Sequence, residues 1–409
     1  MKIPNSLAPL RHSRFRWLWA GLSASYAGDR LQELAQAWLV AGLTGSSAMA
    51  VGWISIFASI PQLFMPLGGV IADRVDRKKI LIVGQLGGAL FATVVGGLVL
   101  SGKVLSWHIY AWAFFSGVIW LFSRPAYKVA LTEVVPREEV RSAVALNSTT
   151  ETTATTSVNL FGSILLAWIG LPVAFVLNAL SYLVAAGSLW RIPGLDQPIP
   201  ANGRRMTING VSSDLRDGVS LLIHQHELLN PLLLTFLTVM ISTPAVGLLA
   251  AIIHKRGGSI ISLGLMITSA GVGSIAGAIF AGLRGEVNQP VRRYAWFGIM
   301  AAMAVGLFIL TPLSFITPLP LAAIGFVLFA ETVWNTSRVR MLASPAFQAR
   351  LQSLTTMAFT LGTALGQLWG GIVIDRIGIN GLAGGAILLC IISIGVLFAQ
   401  GRWGAGFQR

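Results

Sequence analysis

Apolar runs of about 20 residues recur along the whole chain, from FRWLWAGLSA near its start to GLAGGAILLCIISIGVLFAQ near its end. Hydrocarbon offers no hydrogen bonds, so a segment that crosses it must satisfy its own backbone N–H and C=O groups. A helix does so within one run of this length, whereas a barrel strand needs only about 9–11 residues of alternating character. The expected fold class is therefore an all-α integral membrane protein. Composition agrees: 11% of the 409 residues are charged, against about 25% in soluble domains, and the mean hydropathy is +0.74. The first run is long, interrupted by polar residues and lacks a small-residue cleavage site, so a retained span is expected and not a signal peptide. The single Cys390 rules out an internal disulfide.

Twelve spans are expected, among them Phe15–Leu43, Met49–Ala72, Ser142–Ile169, Leu319–Ser337 and Leu351–Ile374. The net charge of +14 reads as a topology signal, because cytoplasmic loops keep an excess of Lys and Arg. With the N-terminus inside, only Lys103, Lys255, Arg256 and Arg376 of the 29 basic residues fall outside, and Arg30 lies within a span. Nucleic acid is thus not an expected partner. The lipid bilayer is, with both termini cytoplasmic in a multi-pass protein of the cell (inner) membrane.

The long polar stretch RIPGLDQPIPANGRRMTINGVSSDLRDG separates six spans from six, and its Pro, Gly and Asn content marks a linker. Residues 1–190 are expected to form an N-terminal six-helix bundle and 229–409 a C-terminal one. Residues 191–228 form a cytoplasmic linker between them, which ends in a candidate amphipathic helix, VSSDLRDGVSLLIHQHELL. A fixed displacement of the chain on itself pairs Gly69 with Gly277, Gly117 with Gly325 and Gly162 with Gly370. Such a repeat places a transporter site where the two halves meet, near the bilayer midplane.

The stretch SYAGDRLQELAQAW, Ser25 to Trp38, carries charge into a span. A charge at the bilayer centre costs about 2.5–3.5 kcal/mol on insertion scales, so these residues must face a cavity or a partner. At helical spacing Asp29, Gln32, Glu33 and Gln36 share a face, and Arg30 can pair with Glu33 one turn on. That pair reads equally as a static packing device or as part of a site. Glu151, within NSTTETTATTSVN, and Glu331, within FAETVWNTS, lie at similar depth, with Asn159, Asn178, Trp334 and Asn335 as cavity neighbours. The Thr-rich run is polar on every face, so several of its hydroxyls are expected to bond back to their own helix. A carboxyl partly removed from water holds a proton more tightly and can trade it for a cationic or polar substrate. Asp29, Arg30, Glu33, Gln36, Glu151, Glu331 and Asn335 are therefore the expected substrate- and proton-binding residues.

After the second span, GGVIADRVDRKKIL places Gly69, Asp73, Arg74, Arg77 and Lys78 in the pattern G-x-x-x-D-R-x-x-R-K. Gly69 suits close helix packing, and Asp73 can cap a helix N-terminus or pair with Arg77. Lys78 and Lys79 read as positive-inside anchors, and Arg124 in SRPAY as another. This pattern resembles the hallmark loop of the major facilitator superfamily, in particular its drug:H+ antiporters related to macrolide and enterobactin exporters. Further matches are LRHSRFRWLWAGLSAS, AYKVALTEVVPREEVRSAVALNS, AFVLNALSYL, ARLQSL and LGQLWGGIVIDRIG. The resemblance implies a conformational gate at Gly69, Asp73, Arg74 and Arg77, with Asp73 set against span eleven. Ala281 stands where the second half would carry the matching acid, and span five reads LFGSILLAWIG where the antiporters carry G-P-x-x-G.

No G-x-x-x-x-G-K-[ST] loop, H-E-x-x-H, C-x-x-C or Ser–His–Asp arrangement is present, so no cofactor, metal or ATP drive is expected and an enzyme is not. His12, His108, His224, His226 and His254 are scattered. The expected function is export of small amphipathic or cationic molecules, drug- or siderophore-like, by proton antiport and alternating access, in a monomer. An importer or lysophospholipid flippase on the same fold, or a transport-inactive membrane sensor or scaffold, is the alternative.

Overall fold

The computed structural model describes residues 5–64, 76–193, 226–284, 290–313, 316–342 and 345–404, with residues 220 and 223. Among the described residues there are helices and turns but no strand. The helices are α1 (Ser13–Leu43), α2 (Ala48–Gln62), α3 (Arg77–Leu100), α4 (Ser106–Glu133), α5 (Val140–Ser157), α6 (Ser163–Ile169) and α7 (Pro172–Trp190). They continue as α8 (His226–Gly247), α9 (Leu249–Lys255), α10 (Ile260–Arg284), α11 (Pro290–Leu310), α12 (Pro318–Leu342), α13 (Pro345–Ile377) and α14 (Leu382–Gly404). A π-helical turn, Val158–Gly162, carries α5 into α6. The candidate amphipathic helix of the linker lies almost wholly outside the described residues.

Nine stretches of helix among the described residues are long and apolar enough to cross a membrane, fewer than the twelve spans expected. The shortfall has a chemical reason. α1 has 31 residues, but Arg14, Arg16, Asp29, Arg30 and Glu33 dilute its apolar character. α4 carries His108, Ser116, Ser123, Arg124 and Lys128, and the expected span Met49–Ala72 runs beyond the described residues after Phe64.

Local chemistry sets the ends. Asp76 caps α3, its Oδ1 accepting from the backbone N–H of Lys78 at 2.9 Å and of Lys79 at 3.3 Å, as an acid at a positive helix start should. α7 begins with Pro172 at its first position, after Gly170 turns the chain at a φ of 97°.

The chain divides into two compact units, residues 1–43 with 57–208, and residues 44–56 with 209–409. In the first unit α7 packs against both α1 and α3. A side chain on Gly28 would stand 2.4 Å from both Asn178 Oδ1 and Ser181 Oγ, and one on Gly88 2.7 Å from the Tyr182 ring. These two glycines let α7 bring Asn178 and Tyr182 up to α1. A buried cluster including Phe15, Leu18, Leu81, Ala126, Leu131 and Leu189 closes one end of this unit.

In the second unit the closest crossing is α10 with α12. A Cβ on Gly273, Gly277 or Gly325 would lie 1.8, 2.1 or 2.0 Å from a backbone carbonyl oxygen of the facing helix. Lipid tails are as apolar as the helices, so this kind of close backbone approach supplies the packing that holds them together. Gly282, also on α10, meets nothing within 4 Å. Gly277→Ala is expected to destabilise the protein by at least about 1–3 kcal/mol, the range for overpacking, while Gly282→Ala is neutral. The midpoints of thermal unfolding in detergent check this contrast.

Candidate functional site

The first unit holds a cavity between α1, α3, α4, α5 and α7. Asp29 of α1 is one of its walls. Its Oδ1 accepts hydrogen bonds from the Tyr182 hydroxyl and from Asn178 Nδ2 at 3.2 Å, and Asn178 Nδ2 also donates to Gln32 Oε1 at 2.7 Å. Asn178 and Tyr182 are one helical turn apart on α7, so a single face of that helix supplies both donors. Charge-assisted bonds of this kind are the strong ones, and in a site short of water they replace the missing solvation.

Across the cavity Glu151 accepts from Asn147 Nδ2 at 3.0 Å, and Asn147 Oδ1 in turn accepts from the Tyr127 hydroxyl. Tyr26 Oη and Thr155 Oγ1 are 3.0 Å apart, and Trp19 Nε1 donates to Thr150 Oγ1 at 3.1 Å. Five threonine hydroxyls of α5 do bond back, with Thr149, Thr150, Thr152, Thr155 and Thr156 donating to the carbonyls of Ala145, Leu146, Ser148, Glu151 and Thr152. Arg124, read from sequence as a surface anchor, lines this cavity with its guanidinium 4.6 Å from the Trp120 ring centre. The site therefore combines two acids, one arginine and the rings of Tyr26, Trp120, Tyr127 and Tyr182.

The shared face expected for Asp29, Gln32, Glu33 and Gln36 is divided by packing. Ser25, Gln32 and Gln36 are buried within the unit, at 3%, 1% and 3% exposure, and Ser25 donates to Gln85 Oε1 at 2.9 Å. Gln36 does not line the cavity. Arg30 pairs with Glu33, as the spacing predicted, and lies 5.0 Å from the Tyr26 ring centre. Half of the Glu33 side chain is open, at 53%, and neither member of the pair is a cavity wall.

In the second unit Glu331 of α12 is fully buried, and neither carboxylate oxygen has a hydrogen-bond partner among the described residues. Thr235 and Thr238 of α8 are the hydroxyls beside it. The Thr238 hydroxyl donates to Leu234 O at 2.9 Å, and Thr235 Oγ1 accepts from Asn335 Nδ2 at 2.8 Å. Asn335 lines a second cavity with Thr235, Thr336, Gln352 and Thr355. Trp334 is not a cavity residue: it is 3% exposed, its Nε1 donates to Ala281 O at 3.3 Å, and Phe280, Tyr294 and Phe297 surround it.

Of the expected gate, Gly69, Asp73 and Arg74 lie outside the described residues. Arg77 is 2% exposed and paired with Glu133 at the end of α4, a burial that an anchor in the headgroups does not need. No group of three or more potential metal ligands occurs among the described residues. Sequence reasoning missed Tyr182, Tyr127 and Trp120. Only Tyr182 had a signal, its place one turn beyond Asn178 within AFVLNALSYL.

The sequence model of a family described as transmembrane secretion effector matches residues 4–403. Macrolide efflux protein A of Streptococcus pyogenes is 22% identical over 386 residues, covering 92% of this chain and 94% of that protein. The enterobactin exporter EntS of Citrobacter koseri is 26% identical over 334 residues, covering 81% of this chain and 75% of that protein. A solved bacterial homolog of the human lysosomal transporter Spinster, in an inward-facing and occupied conformation, matches with a TM-score of 0.68 at 14% identity. That likeness covers 94% of this chain and 96% of the other, and it speaks for the fold alone. The chain belongs to the transmembrane secretion effector family and is a multi-pass membrane transporter of the major facilitator type, not an enzyme.

Proposed function

We propose that the protein is a secondary exporter that moves small amphipathic or cationic molecules, drug- or siderophore-like, in exchange for protons. The observation that carries this reading is the Asp29 carboxylate, set in a cavity wall and fixed by two neutral donors, Tyr182 and Asn178. Neutral donors orient a carboxylate without cancelling its charge, so it stays free to take either a proton or a cation. Occupancy by one excludes the other, and that exclusion is antiport. The aromatic rings around it suit an amphipathic ligand, and macrolide efflux protein A and the exporter EntS lend the outward direction. Glu331, fully buried beside the Thr235 and Thr238 hydroxyls, is the second proton site of this reading, and Glu151 the third.

The proposal takes the chain as twelve spans in two six-helix bundles, residues 1–190 and 229–409, joined by a cytoplasmic linker at 191–228. Positive charge on the inner loops supports cytoplasmic termini in the inner membrane, and the protein works as a monomer. The halves alternate access to the site, gated at Gly69, Asp73, Arg74 and Arg77. One proton moving down 100 mV supplies about 2.3 kcal/mol, enough for a roughly 50-fold gradient of a neutral substrate.

In inverted vesicles held acid inside, a cationic dye, a macrolide or a catecholate siderophore is expected to release protons, reported by dequenching of a fluorescent amine. Asp29→Asn abolishes that response. Dequenching by none of these compounds in the wild type sinks the antiport reading. Dequenching that survives Asp29→Asn moves the proton site to Glu331 or Glu151, which Glu331→Gln and Glu151→Gln then separate.

Gly88→Val is a second test, because it displaces Tyr182 without touching an acid. It is expected to slow transport at least about tenfold, the loss of one good hydrogen bond to a charged group. The adjacent Gly87 has open space, its nearest neighbour being an Ile119 methyl at 3.9 Å. Gly87→Val should therefore transport like the wild type.

A further inference from the structure

The turn between α1 and α2 is held by residues from the far end of the chain. Gly45 and Ser46 both have positive φ, 61° and 67°, and Ser46 is the one non-glycine residue among those described that does. A serine stays in that conformation only when its surroundings insist on it. Ser46 Oγ lies 2.8 Å from His254 Nδ1 at the end of α9. Ser47 Oγ donates to Asp375 Oδ2 at 2.6 Å. The backbone N–H groups of Ala48 and Met49 donate to Asp375 Oδ1 at 2.7 Å and Oδ2 at 3.1 Å, and that of Ala50 to Ser47 Oγ at 3.1 Å.

Three of the four N–H groups that a helix start leaves unpaired are thus satisfied, two of them by a carboxylate more than three hundred residues away. The backbones meet as closely. A side chain on Gly371, one turn before Asp375, would lie 2.7 Å from Met49 Cα, and one on Gly52 would lie 2.9 Å from Gln367 O. Gln367, Gly371 and Asp375 recur every fourth residue, so one stripe of α13 faces the first two turns of α2. Residues 44–56 accordingly group with the second unit, although α1 before them and the chain from Phe57 onward belong to the first.

Helix stability alone does not call for this arrangement. α3 begins on a carboxylate too, but a local one, Asp76. Ser47 already stands at the α2 start, where a serine is a sufficient cap. Asp375 adds a long-range contact at an exposed position, where water can take over each hydrogen bond when the contact opens.

We infer that Asp375 is a second gating acid, a releasable latch that locks the start of α2 to the end of α13 in this state and opens once in every transport cycle. This rests on the alternating-access reading above. The latch acts at the start of α2, ahead in the chain of the Gly69–Arg77 loop.

Two experiments in a Cys390→Ser background test it. In the first, Ser47→Cys with Asp375→Cys is bridged by a short bis-methanethiosulfonate, which dithiothreitol removes. Bridging is expected to reduce export at least tenfold and removal to restore it; export undiminished by a complete bridge overturns the latch. The second needs no substrate and so stands even if the antiport reading fails. Ala48 is fully buried, and Ala48→Cys should label slowly with maleimide. Adding Asp375→Asn is expected to speed labelling at least tenfold at an unchanged thermal midpoint. Unchanged labelling, or faster labelling accompanied by a lower midpoint, makes Asp375 a static cap and overturns the proposal.

Discussion

In hydrocarbon a polar group that the chain leaves unpaired stays unpaired, since no water comes to its aid. That constraint runs through the molecule at every scale. It puts the backbone into helices and sends the hydroxyls of Thr149, Thr152 and Thr156 back to their own carbonyls. It also makes close approach valuable. Gly28 and Gly88 carry no side chain, so α7 comes near enough for Asn178 and Tyr182 to reach Asp29. The polar site is thus a product of glycine packing as much as of the acid itself.

The three buried or cavity-lining acids are treated differently. Asp29 has two donors, Glu151 has one from Asn147, and Glu331 has none among the described residues. Buried polar groups are nearly always satisfied, so the exception at Glu331 is the one that most needs a reason. On the transporter reading it is where the chain accepts a cost in stability to keep a proton exchangeable. The carboxylate of Asp375 is the opposite case: it is exposed, fully engaged, and suited to a contact made and broken in water.

Several features were legible because they depend on composition or on near neighbours. The membrane class followed from run length and charge content, and the Arg30–Glu33 pair from spacing. The return of the threonine hydroxyls followed from there being too many polar faces to line one cavity. Helical spacing was too coarse for the rest. It put Asp29, Glu33 and Gln36 on one broad face, whereas packing within the unit buries Gln36, keeps Asp29 in the cavity wall and leaves Glu33 half open. Trp334 looked like a cavity aromatic because it follows Glu331 by three residues, yet α10 and α11 close over it. Spacing offered Asp73 as a partner for Arg77, whereas Glu133, 56 residues away, takes its guanidinium.

By itself the sequence determined that the chain lives in a bilayer, that it is helical, and which few charged residues enter the apolar spans. It also carried the motifs of a major facilitator transporter. Each of these is a local or summed property, set by transfer free energies and by backbone hydrogen bonding within one segment. Only the tertiary structure decided which acids share a cavity, which is fully buried, and that Asp375 holds the start of α2. Those are contacts between segments far apart in the chain, and they depend on how closely glycines let two helices approach. No spacing along one helix encodes that distance.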